Sequence, residues 1–308
     1  MKKIYLVLVG IFLLGFLLRF YRLGEIPIGF HRDEAYLGYN AYSILNTGRE
    51  MSGDFLPIHL KSFLFSPALY SYFSIPFVFI FGLSEFSVRF ASALFGSLTV
   101  LVTFFFVKII FKDKEIHNTK YKILDTNILA LLSSLFFAIS PWSINLSRVA
   151  TDNVIVVFLI TSGVYFYIKW IDRSKIKFLI ISAILFVISL YTYQAPRAFL
   201  PPFLPLMYLI FAYKQKKKLV ISFVIYLIFI ILPIVSILLT HDLSLRFRML
   251  SIFNAPGTQL ILDEKIREDG IMNITPMIAR VFDNKIISYT QTFILNYSDH
   301  FSFRFLFT

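Results

Sequence analysis

Apolar runs long enough to cross a bilayer recur over most of this chain, and no other feature narrows its possible folds as much. They cover residues 4–20, 67–82, 86–111, 123–141, 154–170, 176–193, 199–213 and 219–240. A hydrocarbon core of about 30 Å is crossed by roughly 20 apolar residues in a helix. Of the 308 residues only 16% are charged, and the mean hydropathy is +0.74. A soluble protein of this length needs far more polar surface than that. The chain therefore reads as all-α, a polytopic transmembrane helical bundle.

The first run follows Met1, Lys2 and Lys3 and resembles a secretory signal in length. Arg19, Phe20, Tyr21 and Arg22 come after it where a small-residue cleavage site would lie, so it reads as a retained first helix. The absence of cysteine excludes disulfides and thiolate metal sites.

A net charge of +12 is compatible in principle with nucleic acid. Its distribution argues otherwise, because Lys concentrates in short gaps between apolar runs, at residues 108–122, 169–177 and 213–218. Lys/Arg-rich short loops stay cytoplasmic, and such clusters attract anionic lipid. Membrane lipid is thus the expected partner, and nucleic acid is not.

Topology then follows from parity. With the amino terminus and the Lys-rich gaps all cytoplasmic, an even number of crossings precedes the gap near residue 115, whereas three runs precede it. The run at 67–82 is short, carries Pro76, and is amphipathic through Tyr70, Ser71, Tyr72 and Ser74. It is expected to lie along the outer interface or re-enter shallowly, with Pro67 in its first turn. About seven spans remain. The regions 21–85, 142–153, 194–198 and 241–308 then face the external side. The last holds seven basic and seven acidic residues and reads as a partial external segment after a transmembrane core at 1–240. Pro201, Pro202 and Pro205 predict an irregular outer end for the 199–213 helix.

Charge near the bilayer is costly and tends to be paired, snorkelled or functional. Here Asp33, Glu34, Lys61, Arg89, Arg148, Asp152 and Arg197 all fall in external regions or at outer helix ends. Tyr36, Tyr39, Tyr42 and Leu45 recur every three residues, so residues 33–46 read as an interfacial amphipathic helix that Asp33 and Glu34 open. The simplest account of the two acids is favourable interaction with a helix amino terminus. Thr151 and Asp152 read as a cap for the next span, with Arg148 as an i−4 ion-pair partner. Lys61 and Arg197, each flanked by aromatics, suit snorkelling when taken singly. Taken together, two carboxylates and two or three cations beside an aromatic-lined membrane cavity suit an anionic lipid head group and a hydroxyl that loses a proton. Tyr193, near Arg197, and Arg148 join these two cations as candidate substrate contacts. His31, His59, His117, His241 and His300 lack metal-motif spacing, and there is no phosphate-binding glycine loop or nucleophile elbow.

Four stretches in order, "RFYRLGEIPIGFHRDEAYLGYNAYSIL", "GLSEFSVRFASALFGSLTVLVTFFFVKIIF", "AISPWSINLSRVATDN" and "YTYQAPRAFLP", resemble the polytopic C-superfamily glycosyltransferases. The similarity is greatest to bacterial relatives of protein O-mannosyltransferases and of the aminoarabinose transferase acting on lipid A. The resemblance implies transfer of a sugar from a polyprenyl-phosphate carrier to a protein, lipid or glycan acceptor, on the external face of a bacterial-type plasma membrane. It implies a catalytic acid at Asp33 with Glu34 beside it, a further acid at Asp152, and a basic residue at Lys61 before the second interfacial helix. Asp33 would be the general base, and Lys61 with Arg197 would neutralise the departing phosphate. Asp152 would orient the acceptor or share a divalent cation; no other cofactor is implied. Family members continue with further spans and often an external domain, so the chain reads as a truncated member. A lipid-linked glycan ligase or polymerase and a lipid or solute transporter are the alternatives. The first tends to rely on external arginines, and the second favours charges in mid-span and an inverted repeat.

Overall fold

A computed structural model describes residues 2–61, 66–111, 125–231, 233–235, 256–271, 284–299 and 301–302, which are overwhelmingly helical. The chain divides into two compact units, Met1–Ser236 and Ile237–Thr308. The described part of the second holds α11 (Pro256–Ile271) and α12 (Lys285–Asp299), which pack on each other.

The first unit opens with α1 (Lys2–Phe20) and α2 (Arg32–Thr47). Next come the two-residue strands β1 (His59–Leu60) and β2 (Ser66–Pro67), paired antiparallel with His59 opposite Pro67. There follow α3 (Leu69–Phe81), α4 (Glu85–Ile110), α5 (Thr126–Ile139), α6 (Pro141–Ser147) and α7 (Asp152–Arg173). The unit continues with α8 (Ile176–Thr192), α9 (Ala195–Ala212) and α10 (Lys216–Tyr226), the last running into a π turn at Leu227–Ile231.

Among the described residues, α1, α4, α7, α9 and the helical stretch Lys216–Val235 are long and apolar enough to cross a membrane, and α5 with α6 forms a sixth candidate bent by 56°. At 17 residues α8 falls just short; the seven spans of the sequence reading require it as well. The 13 residues of α3 extend about 20 Å, too little for a crossing. Pro67 is not in its first turn, as expected from sequence: it pairs in β2, and α3 starts two residues later.

Two departures from regular helix explain themselves. Pro141 has no amide hydrogen for the carbonyl of Phe137, and the chain bends there. The buried Arg19 of α1 fills the gap, with Nη2 donating to the Phe137 carbonyl at 3.3 Å and Nη1 to the Ala138 carbonyl at 3.0 Å. Its other N–H groups reach the Gly15 carbonyl, Ser143 Oγ and Ser147 Oγ. The carboxyl end of α5, with its partial negative charge, thereby holds a buried cation. In α9 the helix is continuous from Ala195, contrary to the irregular outer end expected from its prolines. Pro205 leaves the Pro201 carbonyl without an amide partner, and the Tyr226 hydroxyl donates to it at 3.0 Å.

Two apolar clusters organise the unit. One, between α7, α8, α9 and α10, is built on Tyr167, Phe186, Leu200 and Tyr208. The other joins α2, α3, α4 and α7 through Leu37, Tyr70, Val88 and Ile155, and takes in Leu60 of β1. Close approach at the α7–α8 contact depends on Gly163, where a Cβ would sit 2.8 Å from the Phe186 ring.

Candidate active site

The local sequence HRDE builds the start of α2. His31 is the N-cap: its Nδ1 accepts from the Asp33 amide at 3.3 Å, while Glu34 reaches back to accept from the His31 amide at 3.1 Å. This reciprocal arrangement satisfies two otherwise orphaned donors.

Glu34 does much more than cap. It is 2% exposed, and its carboxylate accepts from Arg89 Nε at 2.9 Å, Arg89 Nη2 at 3.0 Å and the Ala150 amide at 2.7 Å. Burial pushes its pKa up, but the bonds from Arg89, Ala150 and His31 outweigh burial, and the net shift is downward. Arg89, fully buried on α4, also donates to the carbonyls of Leu23, Pro27 and Gly29. One ion pair therefore ties α2, α4, the loop after α1 and the segment leading into α7.

That tie locates two further acids. Asp33, the residue before Glu34, keeps its side chain 51% exposed, 3.8 Å from His31 Nδ1. Asp152 is the first residue of α7, two past Ala150. The carboxylates of Asp152 and Glu34 both act electrostatically on the buried Tyr70 hydroxyl, which donates to the Val88 carbonyl at 3.0 Å. A locked carboxylate thus stands beside an accessible one. Thr151 is the N-cap of α7 but makes no side-chain capping bond, and Asp152 places its acid in the first turn.

A second group forms around β1. Arg197, near the start of α9, donates through Nε to the Leu190 carbonyl at 2.9 Å, and its Nη2 lies 2.8 Å from His59 Nε2. The His59 ring also meets Tyr191 edge to face at 6.2 Å. Burial, then the charge of Arg197, pull the pKa of His59 down to about 4. At neutral pH the imidazole is therefore uncharged and Nε2 accepts the bond. Lys61 Nζ pairs with Asp54 at 2.7 Å, both side chains partly exposed. Tyr193 is half-buried at the end of α8. Beside this group lies an apolar groove of ≈ 370 Å³, lined by Leu56, Pro57, Ile58, Tyr72, Ile188 and Tyr191 among others.

Arg148 belongs to neither group. Instead of pairing with Asp152, its guanidinium donates to four backbone carbonyls, those of Leu18, Arg19, Tyr21 and Ile26. The end of α1 and the loop after it present these oxygens, and together they hold the guanidinium against the backbone. Among the described residues no three His, Cys, Asp or Glu side chains gather as metal ligands. Two participants are not evident from sequence: Arg89 as the partner of Glu34, and His59. Arg89 reads only as a charge at a helix end, and His59 lacks any motif.

The sequence model of the family described as dolichyl-phosphate-mannose-protein mannosyltransferase matches residues 66–241. Among curated proteins none matches the chain. The matched span contains Arg89, Ala150, Asp152 and Arg197, while Asp33, Glu34, His59 and Lys61 precede it.

Proposed function

The chain belongs to the dolichyl-phosphate-mannose-protein mannosyltransferase family, a membrane glycosyltransferase with a polyprenyl-phosphate sugar donor, and from that premise we propose that it transfers the sugar on the external membrane face with Asp33 as general base. The observation carrying this reading is the Glu34 carboxylate, bonded by Arg89 and Ala150. It anchors the turn bearing Asp33 to the part of the chain that the family shares. Glu34 is then a positioning residue, its carboxylate fully engaged, and Asp33 is the group left to act.

In this reading the acceptor hydroxyl or amine loses its proton to Asp33 as it attacks the anomeric carbon. The bond from that carbon to the phosphate oxygen breaks, and polyprenyl phosphate departs. Lys61 and Arg197 neutralise the charge growing on the phosphate, with Tyr193 beside them. The apolar groove next to His59 takes the start of the isoprenoid tail. Asp152 orients the acceptor. Mannose and a protein, which the family's description names, are the first donor sugar and acceptor to try.

The test is release of radiolabelled sugar from a polyprenyl-phosphate donor by membranes carrying the protein. Loss of a general base lowers rate by about 10²- to 10⁴-fold, so Asp33→Asn is expected near background while wild type turns over. Equal rates for the two would remove Asp33 from the mechanism.

A further inference from the structure

We propose that His59 is a positioning residue for the donor phosphate: through Nε2 it fixes the plane of the Arg197 guanidinium beside the apolar groove. The inference rests on the reading above, in which Arg197 faces that phosphate. It adds a residue from a different part of the chain, 138 positions away.

The geometry is specific. An arginine that merely snorkels keeps its long side chain mobile. Arg197 is instead held at two points of one rigid plane, by the Leu190 carbonyl at Nε and by His59 at Nη2. The acceptor is fixed too. The pairing of His59 with Pro67 sets its backbone, and Tyr191 packs against its ring. Tyr191 also lines the groove, and so does Ile58, the residue before His59. Groove wall and cation holder are therefore the same two segments. A guanidinium oriented before the ligand arrives loses less freedom on meeting a phosphate.

The bond also dictates a tautomer. Arginine only donates, so Nε2 carries the lone pair and Nδ1 the proton. Of the two amide side chains, Gln places its oxygen near where Nε2 lies, and Asn places it near Nδ1. Gln should therefore replace His59 and Asn should not.

The experiment measures equilibrium binding of a polyprenyl phosphate, with the unphosphorylated polyprenol as reference, to the purified full chain in detergent micelles. His59→Phe is expected to weaken binding of the phosphate roughly ten-fold, the effect of about 1.4 kcal/mol, and to leave polyprenol binding unchanged. His59→Gln should restore phosphate binding to within about three-fold of wild type. His59→Asn should behave like the Phe variant, and it decides the matter if His59→Phe does not fold. In an Arg197→Ala background none of the His59 changes should weaken phosphate binding further. The proposal is overturned if Asn and Gln bind alike, if either weakens polyprenol binding equally, or if the loss persists without Arg197. Should wild type itself not prefer the phosphate over the alcohol, it is the donor reading of this groove that fails.

Discussion

Arg89 holds Glu34 through two parallel bonds, Nε to Oε1 at 2.9 Å and Nη2 to Oε2 at 3.0 Å, with both side chains buried. Such a planar, two-point pair is the strongest form of ionic hydrogen bonding available to side chains. Its energetic worth lies less in the attraction than in what either ion would cost alone. Removing one partner strands a buried charge at about 3–5 kcal/mol. Arg89→Met is therefore expected to destabilise the protein by about that amount, read by denaturation in detergent. The double variant Arg89→Met/Glu34→Leu should recover part of the loss, because no charge is left uncompensated. Arg89→Lys should not rescue, since an ammonium cannot make the paired bonds.

Acid should weaken the protein in two separable windows. The pKa of His59 is lowered from 6.5 to about 4 with Arg197 and Tyr191 facing its ring. The unfolded chain therefore binds the proton first, and stability is full above 6.5 and falls as pH drops from there toward 4. Glu34 is also lowered, from an ordinary value of 4.5. Its contribution is intact above 4.5 and fades only below it, as pH falls through its folded-state pKa. Thermal unfolding of His59→Gln against pH should lose the upper decline and keep the lower one.

Tyr226 and Pro205 should show coupled effects. Tyr226→Phe leaves the partly buried Pro201 carbonyl without its donor, at about 1 kcal/mol. Pro205→Ala restores an amide hydrogen at the position that serves that carbonyl in a regular helix. In the Pro205→Ala background Tyr226→Phe is expected to cost less than half as much, which a double-mutant cycle measures.

Gly163→Ala drives a methyl group against the Phe186 ring at 2.8 Å. Overpacking of this kind costs about 1–3 kcal/mol. Phe186→Leu in the same chain should offset part of it by vacating the contact, and thermal denaturation of the three variants decides the point.

The orientation of α3 is open to chemical labelling, because the chain has no cysteine of its own. Leu83 is exposed in the link between α3 and α4. Leu83→Cys is expected to react with a membrane-impermeant maleimide from the outside. Reaction from the cytoplasmic side alone would mean that α3 crosses.

Much of this architecture is legible in the chain because lipid leaves few alternatives. Continuous apolar runs had to become helices, and α2 was readable from the threefold tyrosine spacing with acids at its start. The short run ending at Gly82 was singled out by parity, and α3 has 13 residues, fewer than any of the single-helix candidate spans among the described residues. Less legible were the places where side chains repair backbone. Three prolines in α9 predicted an irregular outer end, yet the helix is continuous and a hydroxyl from α10 donates to the Pro201 carbonyl. Arg148 four residues before Asp152 predicted an ion pair, yet carbonyls near the end of α1 take the guanidinium. Local spacing carries no information about an acceptor more than a hundred residues away.

Hydropathy by itself determined a helical membrane protein and pointed to a set of ionisable residues near helix ends, since a bilayer sorts segments by transfer free energy alone. Only the tertiary structure decided what each charge does. It buried Glu34 against Arg89, left Asp33 accessible, turned Arg148 to the scaffold and set His59 against Arg197. Those outcomes depend on angstrom-scale donor and acceptor geometry between distant segments, which packing fixes and a linear pattern does not.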